Sequence, residues 1–332
     1  MLKLRRCVVG VLVSGMAGAC SGGLEPSSSP CPSGQDLREE RYDATSIKSR
    51  GCVGPDSENN YRRQGHWEFF HPNGQKHAEG SYVDGFQDGE TDDTGIVIDG
   101  REGAWMLWHD NGQKKEESTY RDGKREGLDT MWHENGQKEG EMTFRDGRPE
   151  GFATLWHENG QKRTEVSYLN GEPEGLATRW HENGQKSSEE TYLNGEREGL
   201  YTYWLTNGQK QEEVTYLNGE REGLSTEWHD NGQKQREMTY RDGKLEGLRT
   251  VWYENGQKQE EGTFRDGQLE GLYTQWNDNG QKEQEGTYLN GEREGLYTYW
   301  LTNGQKMSEA TYLNGTLTSI TEWDANGTQA TP

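Results

Sequence analysis

The chain has 332 residues, a formal net charge of −22 and only 28% hydrophobic residues, a balance that by composition alone reads as disorder. That charge repels phosphate, which excludes nucleic acid as a partner and argues against direct binding of anionic headgroups. The twelve Trp and sixteen Tyr overrule the disordered reading, because they fall at fixed intervals and each aromatic can bury on the order of 150–250 Å².

In chain order, Lys3, Arg5 and Arg6 precede an apolar run from Cys7 to Ala19, the pattern of a secretory signal over residues 1–19. The run is too short for a transmembrane helix, which needs about 20 apolar residues. Ala17-Gly18-Ala19-Cys20 resembles a bacterial lipobox, with Ala17 where Leu is usual. That resemblance makes Cys20 the lipidated first residue of the mature chain, and Ser21 after it implies the outer membrane. Ordinary signal-peptidase cleavage nearby is the alternative. Residues 20–64 read as a Ser-, Gly- and Pro-rich tether. Its remaining cysteines, Cys31 and Cys52, form an even pair in an exported chain and are expected to be a disulfide, with two free thiols as the alternative.

From Gly65 the chain repeats, and the array runs over residues 65–327. With the first Gly of a unit as position 1, that Gly recurs at 103 and then every 24 residues to 295. Each unit carries an aromatic at position 6, Asn-Gly at 9 and 10, Gln-Lys at 11 and 12, Glu at 15 and an aromatic at 18. The position-6 residues form a ladder of Trp108, Trp132, Trp156, Trp180, Trp204, Trp228, Trp252, Trp276 and Trp300. A period in this range means one supersecondary unit that buries its apolar side by stacking on its neighbours. The unit reads as a β-hairpin around Asn-Gly. A loop of Asn231-Gly232 alone sets Trp228 opposite the face of Tyr240. A three-residue loop, Asp230 to Gly232 with Gly232 left-handed, gathers Leu224, Thr226, Trp228, Met238 and Tyr240 on one face, and this arrangement is preferred. An insert at residues 88–100 interrupts the array. Thr318 to Gly327 reads as a capping copy and 328–332 as a tail. The expected fold is all-β: an elongated, single-layer, twisted antiparallel sheet of stacked 24-residue hairpins, roughly 100 Å long at about 4.8 Å per strand.

Tyr216-Leu217-Asn218-Gly219-Glu220-Arg221-Glu222-Gly223 resembles the MORN repeat. Tyr253 to Lys258, YENGQK, is similar to the bacterial MORN-variant repeat. The resemblance covers residues 65–327 and implies a stacked-hairpin fold; some members are assigned to antitoxin or immunity families. It says less of function, because one fold serves many binding roles.

Six histidines, His71, His109, His133, His157, His181 and His229, share position 7. Consecutive copies lie two strand spacings apart, near 10 Å, so they cannot share a metal ion bound at about 2.1 Å, and position 7 reads as a tolerant strand site. Lys at 12 and Glu at 15 recur in all ten copies, each Lys expected beside the Trp of its own copy. Asp88, Glu90, Asp92, Asp93 and Asp99 lack the spacing of an EF-hand and read as a solvated acidic loop. A catalytic site needs a unique constellation, and this chain repeats its parts. The expectation is a non-enzymatic, cofactor-free scaffold, lipid-anchored in the cell envelope, that binds a protein; a cell-wall carbohydrate-binding module is the alternative.

Overall fold

The computed structural model describes residues 31–44, 46–56, 58–86, 90–324 and 326–329. The leader, Cys20 and residues 21–30 lie outside the described residues. One open antiparallel sheet of 26 strands accounts for all the regular structure described. Its strands pair in chain order from Asp36–Arg41 to Thr316–Glu322. The fold expected from the periodicity is therefore present.

The sheet starts earlier than the repeat does. Asp36–Arg41 and Ile47–Pro55 form a hairpin that pairs onto Tyr61–Phe70, so part of the segment assigned to the tether is sheet. DLREER shows no apolar alternation, which is why it reads as linker. The hairpin is held by its neighbours instead. Cys31 and Cys52 are joined by a disulfide with Cα atoms 5.6 Å apart. Trp67 lies flat on Gly51, where a Cβ would come within 2.2 Å of the indole.

Within the repeat, the loop is the three-residue one. His229 N–H donates to the Gln233 carbonyl at 2.9 Å and Gly232 N–H to the His229 carbonyl at 2.8 Å. Gly232 has φ 83°, a region that favours glycine. The face assignment drawn from that loop is wrong, however. Trp228 pairs with Lys234, yet Glu227 pairs with Arg236, so Gln235 is an extra, unpaired residue. A bulge of one residue reverses every side chain beyond it. Ser225, Glu227, Arg236, Met238 and Tyr240 consequently share one face. Leu224, Thr226, Trp228, Lys234, Glu237 and Thr239 share the other.

A second irregularity joins successive hairpins. Met238 pairs with Arg249 and Tyr240 with Leu245, and the longer strand swings out through Gly247 at φ 84°. This explains the Gly that opens every copy, because a side chain at such a φ is disfavoured. The connecting turn has positive φ at both Asn218 and Gly219, the form that suits a two-residue hairpin.

Copies are tied to one another at both ends. His109, His133 and His157 place Nε2 2.7, 3.0 and 2.9 Å from the backbone oxygens of Trp132, Trp156 and Trp180 in the following copy. A carbonyl only accepts, so Nε2 carries the proton. Asn111, Asn135 and Asn159 donate to the next loop's carbonyls at Glu134, Glu158 and Glu182, at 2.9, 2.8 and 2.7 Å. At the opposite end Glu198 accepts from Asn218 N–H and Glu222 from Asp242 N–H, each at 3.0 Å. Position 7 is thus a splice between copies where it is histidine or Tyr253, whose hydroxyl donates to the Trp276 carbonyl at 2.9 Å, while it also tolerates Leu205, Asn277 and Leu301.

Candidate functional site

The two faces of the sheet differ in kind. One repeats the same chemistry in each regular copy. The nine ladder tryptophans stand half-buried in one row, and Lys at position 12 forms an ion pair with Glu at position 15 in all ten copies. Lys lies beside the Trp of its own copy as expected, paired across the hairpin as Lys234 is with Trp228, but its ammonium reaches over a different ring. Lys114, Lys234 and Lys306 place Nζ 5.1, 5.8 and 5.2 Å from the rings of Trp132, Trp252 and Trp323, each in the following copy. Two of the threonines beneath, Thr250 and Thr274, donate to Glu261 and Glu285 at 3.2 and 3.1 Å. Toward one edge of this face run exposed leucines at position 2, among them Leu176, Leu200, Leu224 and Leu248.

The other face changes from copy to copy. Its central row carries, at position 3, Trp67, Trp105, Asp129, Ala153, Ala177, Tyr201, Ser225, Arg249, Tyr273 and Tyr297. Only the aromatic at position 18 is constant. An arginine row, overlooked in the sequence though visible as Arg two residues before the repeat Gly, crosses it. Arg101, Arg221 and Arg293 donate to the hydroxyls of Tyr120, Tyr240 and Tyr312 at 3.1, 3.3 and 3.1 Å. Arg125 lies 2.8 Å from Glu116 and 2.7 Å from Asp129. Burial pushes the Asp129 carboxyl up to about 6, Glu116 adds to the rise, and Arg125 opposes it. Between copies an open recess of about 480 Å³ is lined by Tyr201, Tyr203, Glu212, Arg221 and Glu227.

The described part of the insert, residues 90–100, covers this variable face at its N-terminal end, and Asp88 lies outside the described residues. Ile96 and Val97 are buried and Ile96 joins the cluster of Tyr82, Trp105, Leu107 and Tyr120. Tyr82 donates its hydroxyl to the Val97 carbonyl at 2.7 Å. The insert is therefore not simply a solvated acidic loop. Asp92 accepts from the N–H groups of Thr94 and Ile96 and pairs with Arg101 at 2.5 Å, so its carboxylate is committed to holding the segment down.

Among the described residues, one grouping has the residue types of a metal site, His66 with Glu68 and Glu79. Lys76 already serves both carboxylates, at 3.0 Å from Glu68 and 2.5 Å from Glu79, and Arg50 lies 2.6 Å from Glu68. Burial would raise the Glu68 carboxyl, but Lys76 and Arg50 hold it below its ordinary value. A lysine and an arginine supply the charge that an ion would bring.

The sequence profile of the MORN repeat variant matches eight times, at residues 63–84, 101–122, 173–194, 197–218, 221–242, 245–266, 269–290 and 293–314. These eight segments of 22 residues make up 176 of the 332. No curated protein matches the chain by sequence. Solved structures similar to it include TcdB2-TccC3-Cdc42, at 10% identity over 86% of this chain and 19% of that one, with a TM-score of 0.17. A porin-like protein from Bacteroides uniformis ATCC 8492 is 10% identical over 67% and 91% of the two chains, with a TM-score of 0.16. The Photorhabdus luminescens Tc holotoxin pore is 10% identical over 89% and 17%, with a TM-score of 0.18. This chain spans under a fifth of the length of the two toxin chains. Overlaps this low carry no argument.

Proposed function

The chain belongs to the family of MORN repeat variants, and from that premise we propose that it is a lipid-anchored scaffold of the bacterial envelope that binds one protein through its variable face. The contrast between the two faces carries this reading. A polymer of one repeating sugar would meet identical sites, whereas a single folded partner meets a different surface at each step. The variable face offers Asp129, Ala153, Tyr201, Ser225 and Arg249 at equivalent places, which suits one partner docked in one register. Aromatic and arginine anchors of this kind concentrate binding energy. An immunity-like role, with a toxin as the partner, is one form of this reading.

The carbohydrate alternative needs open tryptophan faces. Lys138, Lys258 and Lys282 sit within 5.9 Å of the ring centroids of Trp156, Trp276 and Trp300, where a sugar would have to stack. That observation weighs against a glycan. Membrane attachment is assigned to lipid at Cys20.

Affinity capture from envelope extract, with wall-polysaccharide binding assayed in parallel, tests the proposal. A stoichiometric protein that is lost on Tyr203→Ser or Glu227→Lys and kept on Trp228→Leu supports it. Saturable polysaccharide binding that depends on Trp228 replaces it with the glycan reading. For the anchor, Cys20→Ala should release the protein from membranes; a variant still labelled by fatty acid removes Cys20 from the account.

A further inference from the structure

The block EREGLYTYWLTNGQK stands unchanged at 196–210 and at 292–306, yet its arginine has different company in the two places. Arg197 Nε lies 2.8 Å from the buried carboxylate of Glu190. The residue equivalent to Glu190 four copies on is Gly286. Arg293 accordingly donates only to phenols, Tyr299 at 3.0 Å and Tyr312 at 3.1 Å, over the ring of Tyr297 at 4.8 Å. Among the described residues no carboxylate pairs with it. Arg101, Arg125, Arg197 and Arg221, at the same position in other copies, each have one. Nor can this copy readily supply the missing group at Gly286, because a Cβ there would lie 2.3 Å from the Tyr297 ring. Tyr297 itself is fully buried.

The chain contains its own example of such a site when filled. Around Arg101 stand Trp105 where Tyr297 stands, Tyr82 and Tyr120 in place of Tyr288 and Tyr312, and Gly80 for Gly286, with a Cβ at Gly80 falling 2.2 Å from the Trp105 ring. The insert lies across that constellation. Asp92 pairs with Arg101, while the carbonyls of Val97 and Ile96 accept from Arg101 at 3.0 and 3.1 Å. We infer that Arg293, Tyr288, Tyr297, Tyr299 and Tyr312 form a receptor for an acidic side chain on an extended segment of a protein partner, one that presents apolar residues and free carbonyls as the insert does. The assignment rests on the variable-face reading above and specifies the chemistry of the partner at one point. A charge-assisted pair beside aromatic rings is strong enough to anchor such a segment.

The probe is a synthetic peptide of residues 90–99, ETDDTGIVID, titrated into the full mature chain by calorimetry. Saturable one-to-one binding is expected, weakened at least tenfold by Arg293→Gln and equally by Asp92→Asn in the peptide. Arg293→Lys should keep part of the affinity. Arg265→Gln, which removes the same charge from the exposed end of a strand, should leave it unchanged. Absence of saturation overturns the assignment, as does equal binding by the Arg293→Gln protein. So does equal loss on Arg293→Gln and Arg293→Lys with native circular dichroism, since charge would then not be what is recognised. A protein partner captured as well by Arg293→Gln as by the parent sinks the receptor and leaves the variable-face reading standing, whereas no captured protein counts against that reading itself.

Discussion

Asp129 is a carboxylate with almost no exposure, held near Arg125 but also near Glu116. Its folded pKa of about 6 lies above the ordinary value of 3.8. The folded state therefore holds a proton that the unfolded chain has released between those values. The associated stabilisation is present below about pH 3.8 and is lost as pH rises through 6. At pH 7 the ionised group costs up to about 3 kcal/mol at 1.36 kcal/mol per unit. Asp129→Asn should raise the midpoint of urea unfolding at pH 7, and the gain should vanish by pH 4. A lower midpoint at pH 7 would mean that the Arg125 pair outweighs the cost of burial. His157→Ala should cost about 1 kcal/mol as the Trp180 carbonyl loses its donor, with hydrogen-exchange protection falling in the following copy. Neither effect was legible in the sequence. Asp129 looked like one more acidic residue, and the partner of His109, His133 or His157 is a backbone atom 23 residues away that no side-chain pattern reveals.

At the scale of the hairpin, what the sequence disclosed and what it hid are separated by one residue. Asn231-Gly232 made the loop readable, because left-handed backbone has few residue choices. Gln235 hid the faces, since position 13 is His77, Lys115, Glu139, Arg163 or Gln235 in different copies and nothing marks it as the bulge. Deleting Gln235 should force Met238 and Tyr240 onto the tryptophan face. Exchange protection should then collapse over residues 223–246, and retained protection would show that the bulge does not set the faces. Gly80 is a second place where sequence was mute. Its φ is ordinary, but Trp105 lies where a methyl would go. Gly80→Ala should destabilise the N-terminal end by roughly 1–3 kcal/mol through overpacking, read as quenching or a shift of tryptophan emission.

Over the whole molecule, coupling between copies decides how damage travels. Trp228 is half-buried rather than enclosed, so Trp228→Ala should cost less than the roughly 3–5 kcal/mol of a fully buried Trp. His229 still links its copy to the following one, and Glu222 of the preceding copy accepts from Asp242 N–H, so loss of exchange protection should spread to both sides. The same change at Trp323, in the last copy, should only fray the end. Strictly local and equal loss in the two variants would mean that the units fold independently.

Where the splices form they point the same way: His229 and Asn231 donate forward, and Glu222 accepts from the turn that follows, whereas the copy at 199–222 has Leu205 in place of the histidine and Asn207 bonded to its own Gln209. An array built on joints of one direction and one spacing works as a gauge whose reach changes in whole steps. Removing residues 199–222 joins Glu198 to Gly223, leaves every remaining splice with an equivalent partner and shortens the rod by about 10 Å, two strand spacings. The receptor at Arg293 would then stand one step closer to the N-terminal end without any change in its own residues. Small-angle scattering of the deletion should show that shortening with stability nearly intact, whereas removing twelve residues should break the joint.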